Sequence, residues 1–379
     1  MTIQSLHPQE AVIAVKGASL PFSDYADLPD AACQARIAAA KQTLGQRVVI
    51  LGHHYQRDDV IQHADFTGDS LKLSRSAAAS AAEYIVFCGV HFMAEVADIL
   101  SRPDQTAILP DLAAGCSMAD MANLAKVRRC WRELAEALDP DEAVTPVTYI
   151  NSSADLKAFC GEHGGIVCTS SNAQKILQWA FDRREKVLFF PDQHLGRNTG
   201  YKMGIPLEDM VLWDFDQPLG GLTPDQIRRA KIILWKGLCS VHQMFNPQQI
   251  RRFREQTPDG LVIAHPECSF DVCQLSDYVG STEYIIKTIA DSPPGAHWLV
   301  GTELHLVSRL AERFKAENKT VRFMASTVCM CSTMARIDPP HLAWVLDNLA
   351  AGHVVNAIKV PPQEAELARV ALNRMLDAS

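Results

Sequence analysis

No stretch of the sequence supplies the roughly 20 consecutive apolar residues of a membrane-spanning helix. The apolar patch at residues 11–15 is short and has no basic leader, so a secretory signal is not expected either. The chain therefore reads as soluble and intracellular, with a cytoplasmic location expected and no membrane partner. It also lacks any concentration of Lys and Arg. Against a net charge of −8, the one basic cluster, Lys126, Arg128, Arg129 and Arg132, is interrupted by apolar residues. It reads as a solvated helix face, and a nucleic-acid partner is excluded. No GxGxxG, Walker or HExxH motif occurs, and the paired CxxC spacing of a structural zinc site is absent. Gly161-Glu162-His163-Gly164-Gly165 is Gly-rich but precedes a strand, so it reads as a turn and not as a phosphate cradle.

What is present is cysteine, eleven in 379 residues. Disulfides are rare in a reducing compartment, and an odd count does not close a paired framework. Each cysteine is thus a small buried hydrophobe or a thiolate with a task. Cys33, Cys88, Cys130, Cys160 and Cys168 fall on helix faces or within strands, where packing is the default. A length of 379 residues accommodates two or three domains. Residues 30–45 read as a helix with a Gly stop, after which short apolar runs alternate with helical stretches, the signature of a parallel α/β sheet. The runs at 48–51, 85–88, 107–109, 147–150, 166–168, 187–190, 211–213, 232–235, 261–264, 278–279, 298–300 and 321–324 read as strands covered on both faces.

The strand ends repeat. A first segment carries His53, then Ser70, then Cys116; a second carries Tyr149 and Asn151, then Ser170, then Cys239; a third carries His265 and Glu267, then Thr282, then Cys331. The first and third keep the same spacing of 17 residues from hook to hydroxyl, and the second spreads to about 21. Because ligands in parallel α/β sheets sit beyond the carboxyl ends of the strands, this order predicts three similar three-layer α/β/α domains with short parallel sheets, arranged around a pseudo-threefold axis with a central active site. The expected division is a helical segment at 1–46, domains at 47–125, 126–245 and 246–345, and a helical segment at 346–379. A hydroxyl residue entering each helix would act as its N-cap and leave N–H groups for an anion.

Three cysteines from three distant loops suggest a soft metal centre with an incomplete protein shell, an iron–sulfur cubane or a zinc ion with an open position. His242, three residues after Cys239, would serve as a fourth zinc ligand or as a donor behind the metal. His53 and His265 suit carboxylate binding when protonated. Tyr55 and Tyr149 can donate protons, and Glu267 is the one carboxylate among the hooks. Arg197 or Lys202, in the segment after the strand at 187–190, could meet a phosphate. Cys268 and Cys273 flank the third hook out of register with the repeat. Whether Cys329 or Cys331 is the third ligand does not follow from spacing.

Several stretches together make the chain resemble the quinolinate synthase family: Gly52-His53-His54-Tyr55-Gln56, Ala64-Asp65-Phe66-Thr67-Gly68-Asp69-Ser70-Leu71, Ala114-Gly115-Cys116-Ser117-Met118-Ala119-Asp120, Tyr149-Ile150-Asn151-Ser152, Cys168-Thr169-Ser170-Ser171-Asn172-Ala173, Gly237-Leu238-Cys239-Ser240-Val241-His242, His265-Pro266-Glu267 and Cys331-Ser332-Thr333-Met334. The likeness spans about residues 45–345. It implies a [4Fe–4S] cluster on Cys116, Cys239 and Cys331, and condensation of iminosuccinate (iminoaspartate) with dihydroxyacetone phosphate to quinolinate, in de novo NAD biosynthesis. A transient contact with L-aspartate oxidase, which would supply the imine, goes with it. The residues matching the family's dicarboxylate site are His53, Ser70, Tyr149, Asn151, Ser170, His265, Glu267 and Thr282, with His242 beside them; Tyr55, Glu267 and His265 would carry the proton transfers. Another [4Fe–4S]-dependent hydro-lyase of the aconitase type is the alternative. Two departures matter. The third cysteine sits in Cys329-Met330-Cys331-Ser332, where its distance to Met334 favours Cys331, and the wider middle spacing leaves Ser170 and Ser171 both open.

Overall fold

The computed structural model describes residues 18–327 and 330–379. Its architecture is α/β, built on three short, almost wholly parallel sheets. The first uses β1 (Val48–His53), β2 (Phe66–Gly68), β3 (Tyr84–Cys88) and β4 (Thr106–Ile108). The second uses β5 (Val144–Tyr149), β6 (Ile166–Cys168), β7 (Lys186–Phe190), β8 (Met210–Trp213) and β9 (Ile232–Trp235). The third uses β10 (Leu261–Ala264), β11 (Tyr278–Val279), β12 (His297–Gly301) and β13 (Thr320–Phe323). A short β14 (Ala357–Ile358) pairs antiparallel with β4 at the edge of the first sheet.

The strand orders coincide. The first sheet runs β2-β1-β3-β4, the third β11-β10-β12-β13, and the second β6-β5-β7-β9 with β8 added outside. In each, the chain starts in the interior, steps to one edge, then crosses back and builds outward. The first strand of each set is therefore central, and its carboxyl end lies beside those of the second and third strands.

The inner strands β1, β3, β5, β7 and β9 are buried along their whole length, which is why they read as unbroken apolar runs. The third sheet shows the two covered faces directly. Val262 and Ala264 join one apolar cluster, while Ile263 between them joins another with Trp298 and Val300. The helix Asp30–Leu44 packs on Pro339–Ala350, a helix that crosses the expected boundary at 345, and both join the core of the first sheet. The last helix, Pro362–Ala378, packs on Ala154–Glu162 of the second. Those backbones approach so closely that a Cβ on Gly161 would lie 2.0 Å from the Leu367 carbonyl oxygen. Among the described residues no helix is long and apolar enough to cross a membrane.

Candidate active site

The carboxyl ends of the strands supply the side chains of one cavity. From the first sheet come His53 at the end of β1, Tyr55 just after it, Ser70 after β2 and Cys116 after β4. From the second come Tyr149 and Asn151 at β5, Ser170 after β6, and Cys239 and His242 after β9. The third adds His265 and Glu267 after β10, Thr282 after β11 and Cys331 after β13. The hooks, hydroxyls and cysteines of all three segments, with Tyr55 and His242, thus face the same space. Arg197 and Lys202 do not: Arg197 donates to Gln193 Oε1 at 3.1 Å, and Lys202 lines an outer pocket. Among the described residues, no Lys or Arg lines the cavity.

The helix caps differ from expectation in a useful way. The cap ahead of Ser70 is Asp69, whose Oδ1 accepts from Lys72 N at 2.9 Å, and the cap ahead of Thr282 is Ser281. In the second segment Asn172 holds the cap position, after Ser170. The hydroxyl residues therefore stand beside the caps, with their oxygens not consumed in capping. Thr282 Oγ1 and Asn151 Oδ1 are buried with no protein partner, and a buried polar atom left so is costly unless something else bonds to it. Ser171, the other candidate in the middle segment, spends its hydroxyl on Asp69 Oδ2, whereas Ser170 lines the cavity.

The two histidine hooks share one local device. Tyr55 N donates to His53 Nδ1 at 3.2 Å, and Glu267 N donates to His265 Nδ1 at 3.4 Å. An Nδ1 that accepts leaves the proton on Nε2. Burial pushes His53 down to about 3 and His265 down to about 4. Both rings are accordingly neutral at pH 7, each with an Nε2–H to give, which replaces the expectation of protonated imidazoles. Burial works against the charge on Glu267, but His265, His242 and the hydrogen bond from Tyr149 outweigh it and hold the carboxyl at about 2. The Tyr149 hydroxyl donates to Glu267 Oε1 at 2.6 Å. His242 Nδ1 lies 3.0 Å from Glu267 Oε2 without the alignment of a hydrogen bond, and its ring stacks on His265. Tyr55 shares a hydrogen bond with Thr302 Oγ1 at 2.7 Å, and burial raises its phenol well above 10.

The cysteines carry a device of their own. Cys116 caps the turn Ser117–Asp120, and Cys239 and Cys331 precede the tight turns His242–Met244 and Met334–Arg336. Backbone N–H groups two or three residues on favour each thiolate: Met118 and Ala119 for Cys116, His242 for Cys239, and Thr333 and Met334 for Cys331. Burial still wins and raises all three, Cys116 to about 12. Three thiolates here need a cation to hold them. The three sulfurs are not all within 4.8 Å of one another. A single zinc binds sulfur at about 2.3 Å and so would hold three sulfurs roughly 4 Å apart. The donor set therefore suits a larger, polynuclear soft centre better than one ion. Among the described residues, the tighter group is Cys239, His242 and Glu267. Cys329 lies outside the described residues, as do residues 11–15.

A model of the family described as quinolinate synthetase A protein matches residues 35–377. The chain belongs to the quinolinate synthase family. It is 56% identical to a quinolinate synthase of Acidobacterium capsulatum over 93% of this chain and 95% of the relative. Against the quinolinate synthase of Streptomyces coelicolor the identity is 57%, over 92% and 90%, and against that of Geobacillus kaustophilus 52%, over 93% and 95%.

Some lining residues were missed by reading the sequence. Glu303 lines the cavity after β12, accepting from His305 N at 2.7 Å and from Cys331 N at 3.4 Å. Thr302 beside it holds Tyr55. Both follow the third strand of a segment, and the repeat was read only at the first, second and last. A second signal lay unused, for all three site cysteines are followed by serine: Cys116-Ser117, Cys239-Ser240 and Cys331-Ser332. The cysteines set aside for packing are buried, as are Cys268 and Cys273.

Proposed function

We propose that Cys116, Cys239 and Cys331 hold a [4Fe–4S] cluster, and that the cavity condenses iminosuccinate with dihydroxyacetone phosphate to quinolinate, phosphate and two waters. The observation that carries this is the convergence of three thiols, two neutral histidines, an ionised Glu267 and unpartnered buried polar atoms in a space that no Lys or Arg among the described residues lines. In this reading the three sheets are three domains, 47–125, 126–245 and 246–345, set about an approximate threefold axis. The segments 1–46 and 346–379 flank them. The enzyme works in the cytoplasm, and its imine comes from an L-aspartate oxidase that it contacts transiently.

The chemistry assigned to the chain follows from its donors. His53 and His265 offer Nε2–H, and Ser70, Ser170 and Thr282 offer hydroxyls, to the substrate carboxylates; Asn151 turns an amide toward them. Glu267, kept ionised by the Tyr149 hydroxyl and the adjacent rings, takes the proton released as the enamine carbon joins the triose skeleton. Tyr55, a neutral phenol oriented by Thr302, returns a proton during isomerisation and ring closure. When bound, a cluster on three thiolates supplies an open iron that acts as a Lewis acid for loss of water.

An anaerobic assay with both substrates, with iron and sulfide measured on the same sample, tests this reading. Quinolinate formation from protein holding about four irons is expected for a cubane. Protein so loaded that forms none sinks it. Dehydration of a hydroxy acid without use of dihydroxyacetone phosphate would move the chain to the aconitase type.

A further inference from the structure

The loop that carries Glu267 leaves the third sheet, yet its backbone is held from the second. Asn198 lies in the helix Gln193–Lys202, which packs on β7 and β9. Its Nδ2 donates to the Pro266 carbonyl at 2.8 Å and to the Cys268 carbonyl at 2.9 Å, and the side chain is buried, 8% exposed. Turned over, the amide would set Oδ1 against two carbonyl oxygens, so the donor orientation is fixed by chemistry.

These two carbonyls belong to the residues on either side of Glu267. Holding the Pro266 carbonyl fixes the peptide plane that enters Glu267, and holding the Cys268 carbonyl fixes the plane one residue beyond the plane that leaves it, so the two contacts bracket Glu267 and restrict the direction of its Cα–Cβ bond. Within the third segment, Cys268 N donates to the His265 carbonyl at 3.0 Å, Glu267 N reaches His265 Nδ1 at 3.4 Å, and the Cys273 thiol reaches the Cys268 carbonyl at 3.6 Å, which leaves the Pro266 carbonyl to Asn198. Meanwhile the partners that the carboxylate must meet, Tyr149 at 2.6 Å and His242 at 3.0 Å, belong to the second segment. Asn198 ties the loop to the same body that carries those partners.

We propose that Asn198 is a positioning residue for Glu267, setting the carboxylate across the junction between two sheets. This rests on the reading of Glu267 as the proton-transferring group. Loss of the double donor lets the carboxylate drift from its partners while the cysteine turns stay in place. The burden then falls on turnover and not on substrate affinity.

The test uses the full, anaerobically loaded enzyme, with Asn198→Ala and Asn198→Ser made alone and in a Glu267→Gln background. Quinolinate is quantified by chromatography over long incubations, with iron and sulfide counted on each sample. Asn198→Ala should lower kcat about 10- to 100-fold, the scale of a misplaced catalytic group, with KM changed less than about twofold and cluster content as in the parent. Asn198→Ser, which keeps one donor, should fall between, and it serves alone if the alanine variant does not fold. In the Glu267→Gln background neither change should lower the residual rate further; if that background forms no product, the graded order of the single variants decides. An unchanged kcat, a loss confined to KM or to iron content, or an equal loss without Glu267 overturns the proposal. Wild-type protein that loads iron but makes no quinolinate overturns the reading of the site, and this proposal with it.

Discussion

His53 and His265 sit at equivalent strand ends, and each accepts a backbone N–H two residues on. With burial lowering both rings to about 3 and 4, neither is a cation at neutral pH. In the proposed site they would meet a carboxylate as neutral Nε2–H donors, so affinity would not depend on protonating them. Binding of a C4 dicarboxylate, followed calorimetrically, should therefore stay level from about pH 6 to 8 around the ordinary histidine value. A site that relied on imidazolium would weaken steadily as pH rose through that range, and about tenfold weakening would refute the neutral assignment. Tyr55 makes a second prediction at this scale. Tyr55→Phe removes the phenol and its bond to Thr302 but leaves the cysteine turns alone, so turnover should drop about 100-fold or more with cluster absorbance unchanged. Residue types at strand ends were legible in the sequence because their chemistry does not depend on context. The neutrality of the histidines was not, since it comes from burial and from one backbone contact each. Glu303 was missed for a similar reason: an acid before a helix reads as an ordinary cap, and its Oε2 does accept from His305 N and Leu306 N.

At the scale of elements, long inner strands were read from their apolar runs, whereas β2 and β14 were not. Phe66-Thr67-Gly68 has an exposed aromatic and a glycine, and Ala357–Ile358 is two residues long, so pairing with β1 and β4 makes them strands and local composition does not. The turn after β9 shows what such pairing demands. Gly237 bridges to Asp192 after β7, and a Cβ there would fall 2.1 Å from the Pro191 carbonyl oxygen. Gly237→Ala should push the Cys239 turn outward, costing about 1–3 kcal/mol of stability and lowering iron retained per chain; full retention would show that the turn is free to move. The helix Ala154–Glu162 carries a different strain. Lys157 is fully buried on it with Nζ on the Ser152 carbonyl, and burial lowers its ammonium from 10.5 to about 8. The unfolded chain then binds more protons than the folded one between those values, so this residue's contribution to stability rises with pH across that window. Relative to Lys157→Met, the wild type should gain roughly 3 kcal/mol between about pH 8 and 10.5, measured by denaturant unfolding at each pH. A constant difference would mean that Lys157 is not held in a low-dielectric site.

For the whole molecule, the recurring strand order explains why so distant a set of residues could be grouped from sequence. Each segment delivers the ends of its first and second strands and of its last parallel strand, β4, β9 or β13, to the same side of its sheet, so a repeat in the sequence becomes convergence in space. The contribution of residues 339–378 was less legible. These residues return to the first and second sheets, and such docking depends on surfaces that exist only after the sheets have formed. The cavity is likewise a property of the assembled chain, since one thiol comes from each segment. The proposed cluster on these three sulfurs would tie together loops from three segments, and its binding energy would add to folding energy. Removing it anaerobically with a chelator should lower Tm by more than about 5 °C. Replacing Cys116, Cys239 or Cys331 singly with serine should reproduce that drop with loss of iron. Because one missing ligand already forfeits the shared tie, a second replacement should cost little more. Additive losses across the three positions would mean that each cysteine stabilises only its own segment, and that no common centre joins them.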